Sequence, residues 1–229
     1  RKIIVMTHSW GTVVGLNVAR RHPDWLHAYV GMGQIIDWRE NERVGYAFAL
    51  RAAQADHNAQ ALADLKAIAP YPPPDRPATL DEIVKQRTWV IHYGGLTAHR
   101  EDFDYDENAR KISPEYSDRD LSPPGFKDGE ALVRLLPELT DIDFRDVTCL
   151  ATPVFIFAGR RDYETPSEIA AGWLKRLHAP KKGLFWFDQS AHMMQLEQPG
   201  KVLMHLVQDV RPIAEKAGDA APPDRPGVD

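Results

Sequence analysis

The sequence predicts an α/β fold, a parallel sheet flanked by helices, with a largely helical insertion between two of its strands. Three observations predict it. Ile3, Ile4, Val5 and Met6 form a continuous apolar run that stops at Thr7-His8-Ser9 and passes at once into the helical spacing of Val13, Val14, Leu16 and Val18. A second short strand, 28–33, follows that helix, and strand-helix-strand at this spacing is a parallel unit. Two more buried-strand patterns, 153–159 and 183–187, resume the sheet late in the chain with a helix between them.

Each element has its local reason. Residues 2–6 read as a buried parallel strand. The helix over 11–21 carries Gly11 and Gly15 on one face, where it can approach the sheet, and ends at Arg20, Arg21 and His22 before Pro23. Residues 40–69 are alanine-rich and helical, with an interruption at Asp56-His57-Asn58. The proline-rich stretch 71–77 can be neither helix nor central strand. Thr79 and Glu82 form a capping box for a helix that ends near Gly94-Gly95. Acids crowd 100–108, and a short helix is predicted over 129–136. Thr165, Pro166 and Glu168 read as N-cap, first-turn proline and capping acid of a helix with Ile169, Trp173, Leu174 and Leu177 inward. A last helix over 199–210 turns Val202, Leu203, Leu206, Val207 and Val210 inward. The predicted division is therefore sheet core over 1–34, helical lid over 35–146, sheet core again over 147–217, and a disordered tail over 218–229.

Composition removes several function classes. The net charge of -5 and the lack of a basic run argue against a nucleic-acid partner. No apolar stretch approaches the length of a membrane span, so no membrane partner is expected. A single cysteine, Cys149, excludes a disulfide framework and a multi-cysteine zinc site, and fits a reducing, cytoplasmic compartment. No histidine pair has metal-binding spacing and no glycine-rich phosphate loop follows a strand, so neither metal nor other cofactor is expected.

What remains is a nucleophile site. In a parallel α/β sheet, chemistry sits at the carboxyl ends of the strands. Ser9, Asp162 and His192 each lie just past such an end, in the order serine, acid, histidine. Ser9 sits at a strand-to-helix turn, with the Trp10 backbone N–H at the helix start, placed to stabilise an oxyanion. His192 would take the serine proton and Asp162 would orient the ring. Thr7 stands where the nucleophile turn usually has its first glycine, so a hydroxyl-bearing side chain must be accommodated there. Asp162 could equally be a turn or capping acid, Asp188 competes for its role, and eight other histidines compete with His192. An aspartate would replace Ser9 in dehalogenase or epoxide-hydrolase chemistry, which the serine disfavours.

The stretches Thr7-His8-Ser9-Trp10-Gly11-Thr12, Tyr29-Val30-Gly31-Met32-Gly33-Gln34, Phe157 through Pro166, and Ser190-Ala191-His192 resemble the α/β-hydrolase superfamily, most of all its proline iminopeptidase-like branch. The resemblance implies a serine hydrolase working through an acyl-enzyme on a small molecule or short peptide. An aminopeptidase is the favoured subclass; an esterase, a lactonase or a non-catalytic binding module of the same fold are the alternatives. It also implies acidic lid residues that hold a substrate amino group, for which Glu40, Glu42, Glu164 and the acids of 101–107 are candidates. His8 and Tyr163 are further substrate-binding candidates, and Trp10, Trp38, Tyr46 and Trp89 are aromatic candidates for the pocket wall. Full-length members carry strands and a second oxyanion donor upstream of the nucleophile. The expectation is therefore a chain missing those N-terminal strands: an active parent, and a piece that alone is poorly soluble and weakly active.

Overall fold

Four strands, β1 (Ile3–His8), β2 (Leu26–Met32), β3 (Val154–Gly159) and β4 (Lys182–Phe187), pair in parallel in the order β1-β2-β3-β4. This is a computed structural model, and it describes residues 1–102, 104, 108, 111–117 and 130–219. The helices are α1 (Gly11–Arg21), α2 (Trp38–Ala55), α3 (Ala59–Ala67), α4 (Leu80–His92), α5 (Glu130–Thr140), α6 (Ser167–Arg176), α7 (Met194–Glu197), α8 (Pro199–His205) and α9 (Arg211–Lys216).

The central strands β2 and β3 are buried along their whole length because both of their faces are covered, and β3 is apolar throughout. Val154, Ile156 and Ala158 of β3 pack with Leu16 of α1 and Trp173, Leu174 and the neighbouring Leu177 of α6. Phe155 and Phe157 point the other way, against Val202 of α8 and Val210. Burying one such large side chain contributes about 1.5–3 kcal/mol, and Trp173, Phe155 and Phe157 are all essentially inaccessible.

β1 departs from the expected buried strand. It is the edge of the sheet, paired only with β2 among the described residues, and Ile3 and Met6 are 57% and 39% exposed. An apolar run looks the same at an edge and in the middle. The last helical stretch also differs from its expected inward face. Val202 and Val210 are buried and Leu206 packs beside them, whereas Leu203 and Val207 are exposed. A π-helical turn at Leu206–Val210 joins α8 to α9, and the inward row steps by four residues, 202-206-210.

Between β2 and β3 the chain builds a second core. Ala49 and Ala53 of α2 meet Leu65 of α3, Ile83 and Val90 of α4 and Leu139 of α5. Alanine lets the α2 axis approach its neighbours closely. Asp37 and Asn58 cap α2 and α3, and the Thr79–Glu82 capping box opens α4. The insertion leaves and re-enters through a neck, with Trp38 N–H donating to Ile142 O and Phe144 N–H to Ile36 O. Of the acids in 101–107, Glu101, Asp102 and Asp104 are exposed; Phe103, Tyr105, Asp106 and Glu107 lie outside the described residues, as does Gly129. The tail expected to be disordered from 218 is placed as far as Asp219, whose carboxylate takes hydrogen bonds from Arg1 Nε, the Lys2 N–H and His27 Nε2. Residues 220–229 lie outside the described residues. No helix among the described residues is long and apolar enough to cross a membrane.

Candidate active site

β1 ends in the turn that carries Ser9, which has φ of 55° in the left-handed region rare for a residue with a side chain. The turn is pinned on both sides. Ser9 N–H donates to Met32 O at the end of β2, at 2.9 Å, and Ser9 O accepts from the Thr12 N–H and hydroxyl at 2.8 and 2.6 Å. The Thr7 hydroxyl donates to Tyr29 Oη at 3.1 Å, which passes its own proton to Gln34 Oε1 at 2.6 Å. The unusual hydroxyl is thus absorbed by a buried hydrogen-bond chain. Room for it comes from Gly15, where a Cβ would stand 2.6 Å from Thr7 Cγ2 and 2.7 Å from the Tyr29 ring. Gly11, by contrast, has only an ordinary 3.8 Å neighbour, so the close approach belongs to Gly15 alone of the two. Trp10 precedes the first residue of α1, which puts its N–H at the positive end of the helix.

The acid and the histidine follow β3 and β4. Asp162 and His192 are both buried, and His192 Nδ1 donates to Asp162 Oδ2 at 2.9 Å. That bond fixes the tautomer and leaves Nε2 for the proton of a nucleophile. Burial pulls the His192 pKa down, but the Asp162 charge and hydrogen bond, with the Glu164 charge, outweigh it and hold the ring above the ordinary imidazole value. Neighbouring segments fix the two loops. Tyr163 N–H donates to Gly95 O, His192 N–H to Leu96 O, and Ala191 N–H to Glu197 Oε2, all at 2.9 Å. His8, the neighbour of Ser9, donates from Nε2 to His192 O at 2.9 Å, and its ring lies 4.5 Å from the His192 ring. The nucleophile turn is thereby tied directly to the histidine loop. Burial and the adjacent His192 lower the His8 pKa to about 4, so this donor stays neutral near pH 7.

Ser9, Trp10 and Thr165 open onto a cavity of about 710 Å³ that runs under the helical insertion. Its walls are apolar, built from Trp38, Ile83, Val84, Ile91, Leu135 and Leu139. One region is ionic. Arg87 donates to Glu42 through Nη1 at 3.0 Å and Nη2 at 2.5 Å, and to Glu164 through Nε at 2.5 Å. Glu42 is fully buried and also accepts the Tyr71 hydroxyl. Two carboxylates therefore share one guanidinium. Despite burial, the Glu164 and Glu42 charges hold the Arg87 pKa well above its ordinary value. Glu164 Oε2 and both side-chain polar atoms of Asn41 are buried without a hydrogen-bond partner among the described residues, although Glu164 and Asn41 line the cavity.

No protein-family model matches the chain. It is 26% identical over 202 residues to the probable aminopeptidase YbaC of Bacillus subtilis (strain 168), across 86% of this chain and 62% of that protein. The chain thus spans less than two thirds of the length of this relative. Among solved structures it is similar to the proline iminopeptidase-related protein TTHA1809 of Thermus thermophilus, with a TM-score of 0.60 at 16% identity over 93% of this chain and 66% of that one. The proline iminopeptidase of Mycobacterium smegmatis gives 0.55 at 16% identity over 94% and 67%. Est816, an N-acyl homoserine lactone degrading enzyme, gives 0.55 at 14% identity over 91% and 68%. The chain has the α/β-hydrolase fold.

Within this α/β-hydrolase fold Asp162 and His192 pair directly, and the Ser9 turn is tied to the His192 loop by its neighbour His8. Of the substrate-binding candidates, Glu42 and Glu164 line the cavity, whereas His8, Tyr163 and Glu40 do not. His8 is turned onto His192, and the Tyr163 ring stacks on Phe48 at 3.8 Å. Asp188 pairs with Arg160 and Lys201 at the surface, which removes it as a rival to Asp162. Glu40 pairs with Arg43 outside the cavity. Trp10 and Trp38 line the wall, whereas Tyr46 and Trp89 pack against the insertion core. Sequence reasoning missed Arg87, Asn41 and the role of Thr165. The first left a signal: Arg87 follows Ile83 by four residues and precedes Val90 by three, so a charge falls on the apolar stripe of α4. Thr165 is not the N-cap of α6, which starts at Ser167 after Pro166; its side chain is spent on Asp162.

Proposed function

We propose that this chain carries the catalytic array of a serine hydrolase, and that its favoured substrates are small amides with a free amino terminus. The observation that carries the reading is the left-handed Ser9 turn, which lines a largely apolar cavity and is tied through His8 to the loop of the hydrogen-bonded Asp162–His192 pair. His192 Nε2 removes the Ser9 proton as Oγ attacks the scissile carbonyl. Asp162 stabilises the imidazolium, and the Trp10 N–H stabilises the oxyanion. The imidazolium then protonates the leaving amine, and water hydrolyses the acyl-enzyme by the same steps in reverse. No cofactor and no nucleic-acid partner enters this reading, and Cys149, an exposed free thiol, suits a reducing, cytoplasmic setting.

The amino-terminal preference rests on Glu164. Its Oε2 is a buried acceptor awaiting a donor, in a cluster with one more carboxylate than cation. An ammonium group would satisfy it with a hydrogen bond roughly twice as strong as that from a neutral donor. The test compares aminoacyl arylamides with their N-acetylated forms on the wild type and Glu164→Gln. Preference for the free amine, with KM raised about tenfold or more in Glu164→Gln, supports the reading. Equal use of both substrates would favour the second reading, an esterase or lactonase, for which the apolar wall of Trp38, Ile83 and Leu139 offers an acyl-chain surface.

A further inference from the structure

Asp162 accepts three hydrogen bonds from described residues, and two come from a single residue. Thr165 donates its N–H to Oδ1 at 2.8 Å and its hydroxyl to Oδ2 at 3.0 Å. The same Thr165 Oγ1 stands 3.2 Å from Nδ1 of His192, which itself donates to Oδ2 at 2.9 Å. Asp162 Oδ2, Thr165 Oγ1 and His192 Nδ1 close a triangle. A carboxylate only accepts, so the one hydroxyl proton is committed to Oδ2 and the Thr165 lone pair faces the His192 N–H. Thr165 is 4% exposed, and Gly33 packs close to its hydroxyl: a Cβ there would stand a tight 3.0 Å from Oγ1.

We propose that Thr165 is a positioning residue that clamps Asp162 by both carboxylate oxygens and sets how strongly Asp162 draws the proton on His192. The proposal rests on the reading of Ser9, His192 and Asp162 as one catalytic array. Held at both oxygens, the carboxylate cannot turn about its Cβ–Cγ bond, so its lone pair stays aimed at Nδ1. The hydroxyl proton also draws charge from the oxygen that holds the imidazole. Without it, Oδ2 would attract the His192 proton more strongly and the ring would become more basic. The other charged or titratable groups around His192 are Glu164, Arg87, His8 and, through the Ala191 N–H, Glu197. A change at Thr165 alters none of them chemically.

Thr165→Val keeps the shape and the N–H but removes the hydroxyl; Thr165→Ser keeps the hydroxyl. The first readout is the titration of the His192 ring by NMR of its Cε1–H, which needs no turnover. Thr165→Val is expected to raise that midpoint by about half to one pH unit, and Thr165→Ser to leave it at the wild-type value. Thr165→Ala, which also lacks the hydroxyl, must shift it the same way. The second readout is the rate of Ser9 labelling by a fluorophosphonate against pH. Its acid limb should move up by the same amount in Thr165→Val while the plateau falls about tenfold. An identical His192 titration in the wild type and Thr165→Val overturns the proposal. So does an equal shift in Thr165→Ser, which would make the effect one of packing. A shift confined to the hydroxyl-free variants, in a wild type whose serine does not react, supports the clamp and refutes Ser9 as nucleophile.

Discussion

Gly33 has its Cα against the edge of the His192 imidazole: a Cβ there would stand 2.6 Å from Cε1 and 2.8 Å from Nδ1 of that ring. Gly33 also has φ of +56°, so its backbone and its neighbour both demand glycine. The end of β2 thereby acts as the back wall of the histidine site.

Gly33→Ala should strain the backbone by about 1 kcal/mol and push the His192 ring off Asp162. Misplacing a general base by about 1 Å costs about 10²-fold in rate. Turnover of an aminoacyl arylamide, with a thermal melt alongside, checks it. A large rate loss with a small drop in Tm is expected; unchanged turnover would show that the ring has slack.

Gly159 closes β3 where the histidine loop crosses it. A Cβ there would fall 1.8 Å from Ala191 O, a backbone atom that cannot step aside alone. Gly159→Ala should therefore displace the loop that holds His192 and cost about 3 kcal/mol or more. Denaturant unfolding gives the number, and a loss below about 1 kcal/mol would contradict the close crossing.

The pH dependence has two parts of opposite sign. His192 is held above the ordinary imidazole value of 6.5 and must be neutral to accept the Ser9 proton, so kcat/KM should rise with pH through a midpoint above 6.5. Its contribution to stability is complete below pH 6.5 and is lost as pH rises through the folded-state midpoint. Removing the Glu164 charge should lower the activity midpoint; removing the Arg87 charge should raise it. A wild-type midpoint below 6.5 would contradict this balance.

His8 behaves in reverse. Its pKa is lowered to about 4, so the folded state resists its protonation and stability is lost as pH falls from 6.5 toward 4. The full loss is of the order of 3 kcal/mol. His8→Gln keeps an N–H donor and cannot titrate, so its unfolding free energy should change less over that range. Parallel acid curves for the two proteins would sink the assignment.

The order serine, acid, histidine and the placement of each at the end of an apolar run were readable because a parallel sheet exposes its chemistry there whatever the insertion does. Thr165 was misread because a threonine before a proline and a helix serves equally as an N-cap or as a donor to an acid three residues back. Residues 2–6 read as buried from their apolar run, yet β1 is partly exposed because it is an edge strand among the described residues; the apolar pattern is the same for an edge and a central strand, so the degree of burial was not legible in it. The Glu42–Arg87–Glu164 cluster needs α2, α4 and the loop after β3 in one place, which no local pattern encodes. Glu42 did leave the same trace as Arg87, a charge in register with Trp38, Gly45 and Ala49 on α2.

The central claim is that His192 activates Ser9. Labelling with a fluorophosphonate tests it most directly, because the probe reacts with a serine whose proton a neighbouring base removes. The account predicts one labelled site in the wild type, mapped to Ser9, and none in Ser9→Ala or His192→Ala. An unlabelled wild type, or label that persists in Ser9→Ala, would contradict it.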